Sequence, residues 1–139
     1  VIRYLVDSSA LWRLLRSGDL HTRWRPVVAD GDILSCYPQR AEFLRSARGL
    51  KEYELFRDMF DELYDDVAPP KSAGGWIGGL QWRAAERGLH QALSSVDLQI
   101  CATAAYHGLV VLHDDTDFVT AARCAVELRQ HNVHEGPLS

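Results

Sequence analysis

The sequence predicts a three-layer α/β domain, with a short central parallel sheet flanked by helices. Three observations carry that expectation. Short apolar runs of strand length alternate with longer segments whose apolar residues recur every three or four positions. The run 109–112 (Leu-Val-Val-Leu) is continuous rather than alternating, and it lies between Gly108 and a burst of acids, which reads as a strand buried on both faces. The 139 residues, 47% hydrophobic, suffice for one domain with its own core. We expect that domain over residues 1–130, with a loose polar tail over 131–139.

Taken in order, residues 2–6 form a first short buried strand ending at Asp7. Ser8 or Ser9 then caps a helix containing Leu11, Trp12, Leu14 and Leu15. Gly18-Asp19 interrupts it, and a second helix spans about 20–29 with Pro26 as a kink or break. Residues 33–36 are a second strand. Pro38 fits the first turn of the next helix, which runs to about Arg48 before Gly49. Residues 50–66 show the clearest periodicity, with Phe56, Met59, Phe60, Leu63 and Tyr64 on one face. A very short strand could follow at 65–68 before Pro69-Pro70. Four glycines make 71–79 a loop. Helices are expected over 80–93 and 96–107, the second capped by Ser94-Ser95. After the strand at 109–112, Asp117 opens a helix to about Cys124, and 126–128 supply a last strand.

Bulk properties exclude several classes. No apolar run approaches the roughly 18 residues of a membrane span, and no signal peptide is visible at the start. The three cysteines (36, 101, 124) lack metal-ligand spacing and suit buried thiols in a reducing cytoplasm. The net charge of −4 provides no global attraction for nucleic acid, although acids gathered around a metal would be neutralised locally. Lys51 and Lys71 are the only lysines, and genomic composition explains that bias towards arginine better than function does.

The chemistry lies in the acids. Open parallel sheets place their ligand crevices outside the carboxyl ends of the strands. Asp7 ends the first strand, and Asp115 and Asp117 follow the strand at 109–112. Asp97 and Glu42 each lie about one turn into a helix whose N-terminus faces the same edge. Singly, Asp7, Asp97 and Asp117 could be acids that only complement helix dipoles, Glu42 could pair with Arg45, and Asp114 with Asp115 could be a solvated turn. Their convergence on one edge argues otherwise. A cluster of carboxylates repels itself unless a cation joins it, and an all-oxygen donor set suits Mg²⁺ or Mn²⁺ rather than Zn²⁺. A phosphatase would want a second Asp two residues after Asp7, where Ser9 stands. A receiver domain would want a lysine beside its acid pocket, and neither lysine is so placed. His113, beside the acids, reads as a packing residue at the strand end.

Four pieces carry a resemblance to a known family. They are Tyr4-Leu-Val-Asp7-Ser-Ser9-Ala-Leu, Arg40-Ala-Glu42-Phe, Ser95-Val-Asp97-Leu-Gln-Ile, and Val111-Leu-His-Asp-Asp115-Thr-Asp117-Phe118. In order and at this spacing, they resemble a PIN-domain ribonuclease, more narrowly a VapC-type toxin of a toxin–antitoxin pair. The resemblance covers residues 2 to about 128. It implies a sheet of about five strands and a Mg²⁺- or Mn²⁺-dependent endoribonuclease acting on transfer or ribosomal RNA. It also implies a cognate antitoxin, and family members commonly form homodimers. The family's acids fall on Asp7, Glu42, Asp97 and Asp115, with a further acid at Asp117. Its small hydroxyl falls on Ser9, which could hold a carboxylate or a water on the metal. Asp7, Asp97, Asp115 and Asp117 would then bind metal, while Glu42 binds it too or orients the attacking water. Arg40 and Arg45 could reach substrate phosphates, though Arg45 could equally tie down Glu42. The helices at 50–64 and near Trp82 could form a groove for an antitoxin helix. A non-enzymatic alternative is a catalytically inactive PIN-like module that binds protein or RNA.

Overall fold

A computed structural model describes residues 1–139. Its sheet has four parallel strands in the order β2-β1-β3-β4: β1 Tyr4–Val6, β2 Ile33–Leu34, β3 Val110–His113 and β4 Arg129–Asn132. The residues after β2 extend the ladder. Ser35 N–H donates to Asp65 O at 2.8 Å, and Val67 N–H to Ser35 O at 2.8 Å, forming a parallel bridge between Ser35 and Asp66. That bridge stands where a fifth strand would lie, in the segment expected to hold a very short one.

Because successive side chains of a strand point to opposite faces, each central strand feeds two cores. Tyr4, Val6, Ile33, Val110 and Leu112 face one side. They pack under α1 (Ser8–Arg16), α2 (Gly18–Ala29), α3 (Tyr37–Leu44) and α4 (Leu50–Leu63). Leu5, Leu34 and Val111 face the other, under α5 (Ala73–Glu86), α6 (Ser95–His107) and α7 (Thr116–Cys124). Burial on both faces explains the unbroken apolar runs of β1 and β3. Trp24 anchors the first core. It is fully buried, meets Tyr4 edge-on at 5.1 Å, and donates its indole N–H to Val133 O at 3.0 Å. Gly108 ends α6 with φ 69°, a left-handed conformation that admits glycine without strain, and turns the chain directly into β3. No helix is long and apolar enough to cross a membrane.

Several boundaries differ from the sequence expectation. Residues 73–79 are helical, not a loop. Ala73, Leu80 and Ala84 are buried, and Trp76 and Ile77 pack against the core, so tertiary burial overrides four poor helix formers. Helix α3 stops at Leu44 rather than Arg48, where Ser46 Oγ donates to Phe43 O at 2.6 Å and closes a turn. Pro26 lies inside a continuous α2. The last strand is the polar segment Arg129–Asn132 rather than 126–128: those residues form a turn that exposes Val126 and buries Leu128, while an edge strand pairs through backbone alone. The chain beyond residue 130 is therefore no loose tail: His131 and Asn132 belong to β4, Val133 is buried, and Leu138 N–H donates to the Tyr4 hydroxyl at 2.9 Å. Helices α4 and α5 cover opposite faces of the sheet, so they do not form the single groove expected between them.

Candidate metal centre

At the carboxyl edge of the sheet, Asp7 leaves β1 and caps α1. Its Oδ2 accepts the Ser9 backbone N–H at 3.0 Å and the Ser9 hydroxyl at 2.6 Å. The same hydroxyl accepts the Asp114 N–H at 2.9 Å, so Ser9 ties the end of β1 to the end of β3. Of the two roles expected for Ser9, holding a carboxylate is the one visible. Asp7 is only 4% exposed. Burial pushes its carboxyl above the ordinary value, the bonds from Ser9 pull it back in part, and the nearby Glu42 charge raises it further.

Asp97 lies in the first turn of α6 and completes a capping box. Ser94 N–H donates to its carboxylate at 3.2 Å, and its own N–H donates to Ser94 Oγ at 3.1 Å. Capping does not exhaust its role. Burial raises the Asp97 carboxyl and the charges of Asp7 and Asp115 raise it further, so those three acids feel one another. Asp115 caps α7 by accepting the Asp117 N–H at 2.9 Å. Asp117 is raised first by desolvation and then by the Asp115 charge.

His113 orients this corner. Its Nδ1 accepts the Asp115 N–H at 3.0 Å, and its Nε2 lies 2.6 Å from Gln130 Oε1, to which it donates. It is buried and stacks near Phe118, the packing role expected for it, with the added task of holding the Asp115 backbone.

None of Asp7, Glu42, Asp97, Asp115 and Asp117 lies within ion-pairing distance of a basic group. Asp114, in contrast, is tied to Arg13 Nε at 2.7 Å and His134 Nε2 at 3.2 Å. Burial alone would raise its carboxyl, but Arg13, His134 and Asn132 outweigh it and hold it below the ordinary value. The sequence offered no signal for this network, since Arg13 and Asp114 are 101 positions apart.

Two arginines differ from expectation. Arg40 is buried and fully engaged, donating to Ser35 Oγ at 2.8 Å, Tyr64 O at 2.8 Å and Asp61 at 3.1 Å. It ties β2 to the end of α4, with each of its three nitrogens already bonded inside the protein. Arg45 is exposed and makes no ion pair with Glu42. The three thiols are free and buried, and burial pushes Cys36 up to about 11 and Cys101 higher still, so neither of those two is an activated nucleophile.

The donor chemistry fits a hard divalent cation: an all-oxygen set, partly desolvated, without a protein counter-charge. The side chains as they stand do not form a finished cage, for no three of them surround a common point. Glu42 accepts no hydrogen bond from another side chain or cap, and its side chain is the longest of the set. A cavity of about 500 Å³ lies past the end of β3 between His113, Gln130, Asn132 and His134, and is lined by none of the five acids.

Residues 4–123 match the PIN domain family. Ribonuclease VapC6 of Mycobacterium tuberculosis is 52% identical over 106 residues, covering 76% of this chain and 84% of that protein. Ribonuclease VapC21 of the same organism is 29% identical over 116 residues, covering 84% of this chain and 83% of the relative. Among solved structures, VapBC2 from Rickettsia felis bound to a promoter DNA fragment superposes with a TM-score of 0.76 at 12% identity, covering 94% of this chain and 98% of that one. VapBC from Salmonella typhimurium, also DNA-bound, gives 0.73 at 14% identity, covering 96% and 99%. At such identities the likeness is one of fold.

Proposed function

This chain belongs to the PIN-domain family, in its VapC-type branch, and on that premise we propose that it is a Mg²⁺- or Mn²⁺-dependent endoribonuclease acting as the toxin of a toxin–antitoxin pair. The observation that carries the reading is the gathering of five carboxylates at the sheet's carboxyl edge, none of them within ion-pairing distance of a basic side chain. Uncompensated acids at partly buried positions are costly, and a divalent cation relieves that cost.

Asp7, Asp97 and Asp115 would hold the ion, with Asp117 beside them. When bound, it supplies charge relief at phosphorus and an acidified water. Glu42 would accept the proton of the attacking water. Ser9 keeps Asp7 turned inward, and His113 fixes the backbone from which Asp115 projects. The substrate would be a structured RNA such as transfer or ribosomal RNA in the cytoplasm. A cognate antitoxin would hold the protein inactive, and a homodimer is a further expected assembly. The rival reading, an inactive interaction module, draws on the lack of a finished metal cage.

Incubation of purified protein with total cellular RNA in Mg²⁺, in Mn²⁺ and in chelator, alongside Asp97→Asn, separates the two. Metal-dependent cutting that disappears in the variant supports the nuclease. Neither cutting nor metal-induced stabilisation would favour the inert module.

A further inference from the structure

Beside the acid cluster, helix α1 presents a feature that the proposed chemistry leaves unused. A cavity of about 270 Å³ lies between Ser9, Trp12, Arg13, Arg16 and Asp114. A second, of about 290 Å³, lies between Trp12, Arg16, Arg48, Glu52 and Phe56. The two share Trp12 and Arg16, so they adjoin at that pair and together make a grooved strip of surface that starts at the serine bonded to Asp7 and ends at Glu52 of α4.

The groove's cations are only partly committed. Arg13 spends its Nε on Asp114 at 2.7 Å, which leaves both ends of its fork unpartnered. Arg16 pairs with no acid at all; its guanidinium lies 4.3 Å from the centre of the Trp12 ring. Arg48 is 88% exposed, with one amino group 3.4 Å from Glu52. Trp12 is held rigidly from below by Phe43 at 4.4 Å and by Phe56 edge-on at 5.9 Å. A guanidinium plane on an anchored indole is a platform on which a base can stack, and free arginine forks match phosphate oxygens.

We infer that this groove, from Ser9 along Trp12, Arg13 and Arg16 to Arg48, is a subsite for the single-stranded backbone of the RNA next to the scissile phosphate. Arg13 and Arg16 take phosphates, and the stacked pair of Trp12 and Arg16 receives a base. The groove orients the strand so that it enters the acid cluster from one side. The inference rests on the nuclease reading for the identity of its ligand, and its test is therefore one of binding rather than cleavage.

The experiment measures binding of a fluorescein-labelled short oligouridylate by anisotropy, in chelator, across a series of salt concentrations. Arg16→Ala should weaken binding about three- to tenfold and lower the slope of log K against log salt by about 0.7, the increment for one phosphate contact on a single strand. Arg16→Lys, which keeps charge but not the planar stack, should restore the slope without restoring the full affinity. Arg87→Ala removes an equal charge at the end of α5, on the opposite face of the sheet, and should change neither. Equal binding by wild type and Arg16→Ala, or equal loss in Arg87→Ala, would overturn the inference. Displacement of the oligouridylate by an oligoglutamate peptide at matched charge would assign the groove to an acidic protein partner and overturn it as well. A protein that cuts RNA yet shows no Arg16 dependence loses the groove alone; one that binds through Arg16 yet never cuts loses the nuclease reading alone.

Discussion

Polar groups at the carboxyl edge of this sheet meet two opposite fates. Arg40 and Asp114 are given partners: Arg40 by Ser35, Asp61 and Tyr64, and Asp114 by Arg13 and His134. Asp7, Glu42, Asp97, Asp115 and Asp117 lie between these two networks and are given none with positive charge. Asp7 and Asp114 make the contrast sharpest, because one hydroxyl, that of Ser9, touches both loops. One carboxyl is pushed up and the other held down. The difference teaches that acidity at a strand end does not mark a site by itself. What marks it is acidity from which the fold withholds a counter-charge.

The largest test of that distinction is Asp7→Asn, which should reduce RNA cleavage roughly 10³-fold while leaving the metal-free protein at least as stable at neutral pH. The sign follows from linkage. A carboxyl whose folded value is raised binds protons more tightly in the folded state, so stability falls as pH rises through the window above the ordinary carboxylate value. The stability advantage of the variant should therefore fade in denaturation curves taken at progressively lower pH; an advantage that grew on acidification would reverse the comparison. On the satisfied side, Arg40→Ala should cost about 3 kcal/mol in urea denaturation, since it removes a buried guanidinium and two bonds from a network in which the Ser35 hydroxyl and the Tyr64 carbonyl would keep only each other. Cleavage per folded molecule should hardly change.

Metal is the next largest lever. Mg²⁺ at about 100 times its dissociation constant should stabilise the wild type by about 2.7 kcal/mol, with little effect on Asp7→Asn; calorimetric scans with and without chelator would show it. Ser9→Ala removes the hydroxyl that fixes Asp7 and receives Asp114, and should lower kcat about tenfold, the usual cost of losing a ligand's supporting bond. The smallest effect belongs to Asp114→Asn. Its ion pair with the half-exposed Arg13 is screened by solvent, so about 0.5 kcal/mol is at stake, shrinking in high salt.

Much of this edge could be read in the sequence. The alternation of strand and helix delivers Asp7, Glu42, Asp97, Asp115 and Asp117 to one side of the sheet through chain direction alone, and the structure brings each of the five close enough to at least one other for their charges to be felt. What could not be read were the pairings. The partners of Arg40 lie up to 24 residues away and those of Arg13 farther still, and no local pattern encodes which acid a guanidinium will meet. Strand β4 escaped for a related reason: Arg129–Asn132 is polar, and only its hydrogen bonds to β3 make it a strand. The start of α5 was obscured by glycines whose poor propensity the buried side chains around them override.

Those glycines have a dynamic consequence. A side chain at Gly74, Gly75 or Gly78 would meet nothing within 4 Å, so close packing does not require their bareness. Each sacrifices about 1 kcal/mol of helix propensity relative to alanine. The first two turns of α5 are therefore held by their anchors, Leu80 in the core and the 2.7 Å bond from Trp76 to Glu127, rather than by their own backbone. In hydrogen exchange, the amides of those turns should open well before those of the neighbouring α6, whose run from Leu98 to Ala104 is almost wholly buried, so the two helices of one face should unlock separately.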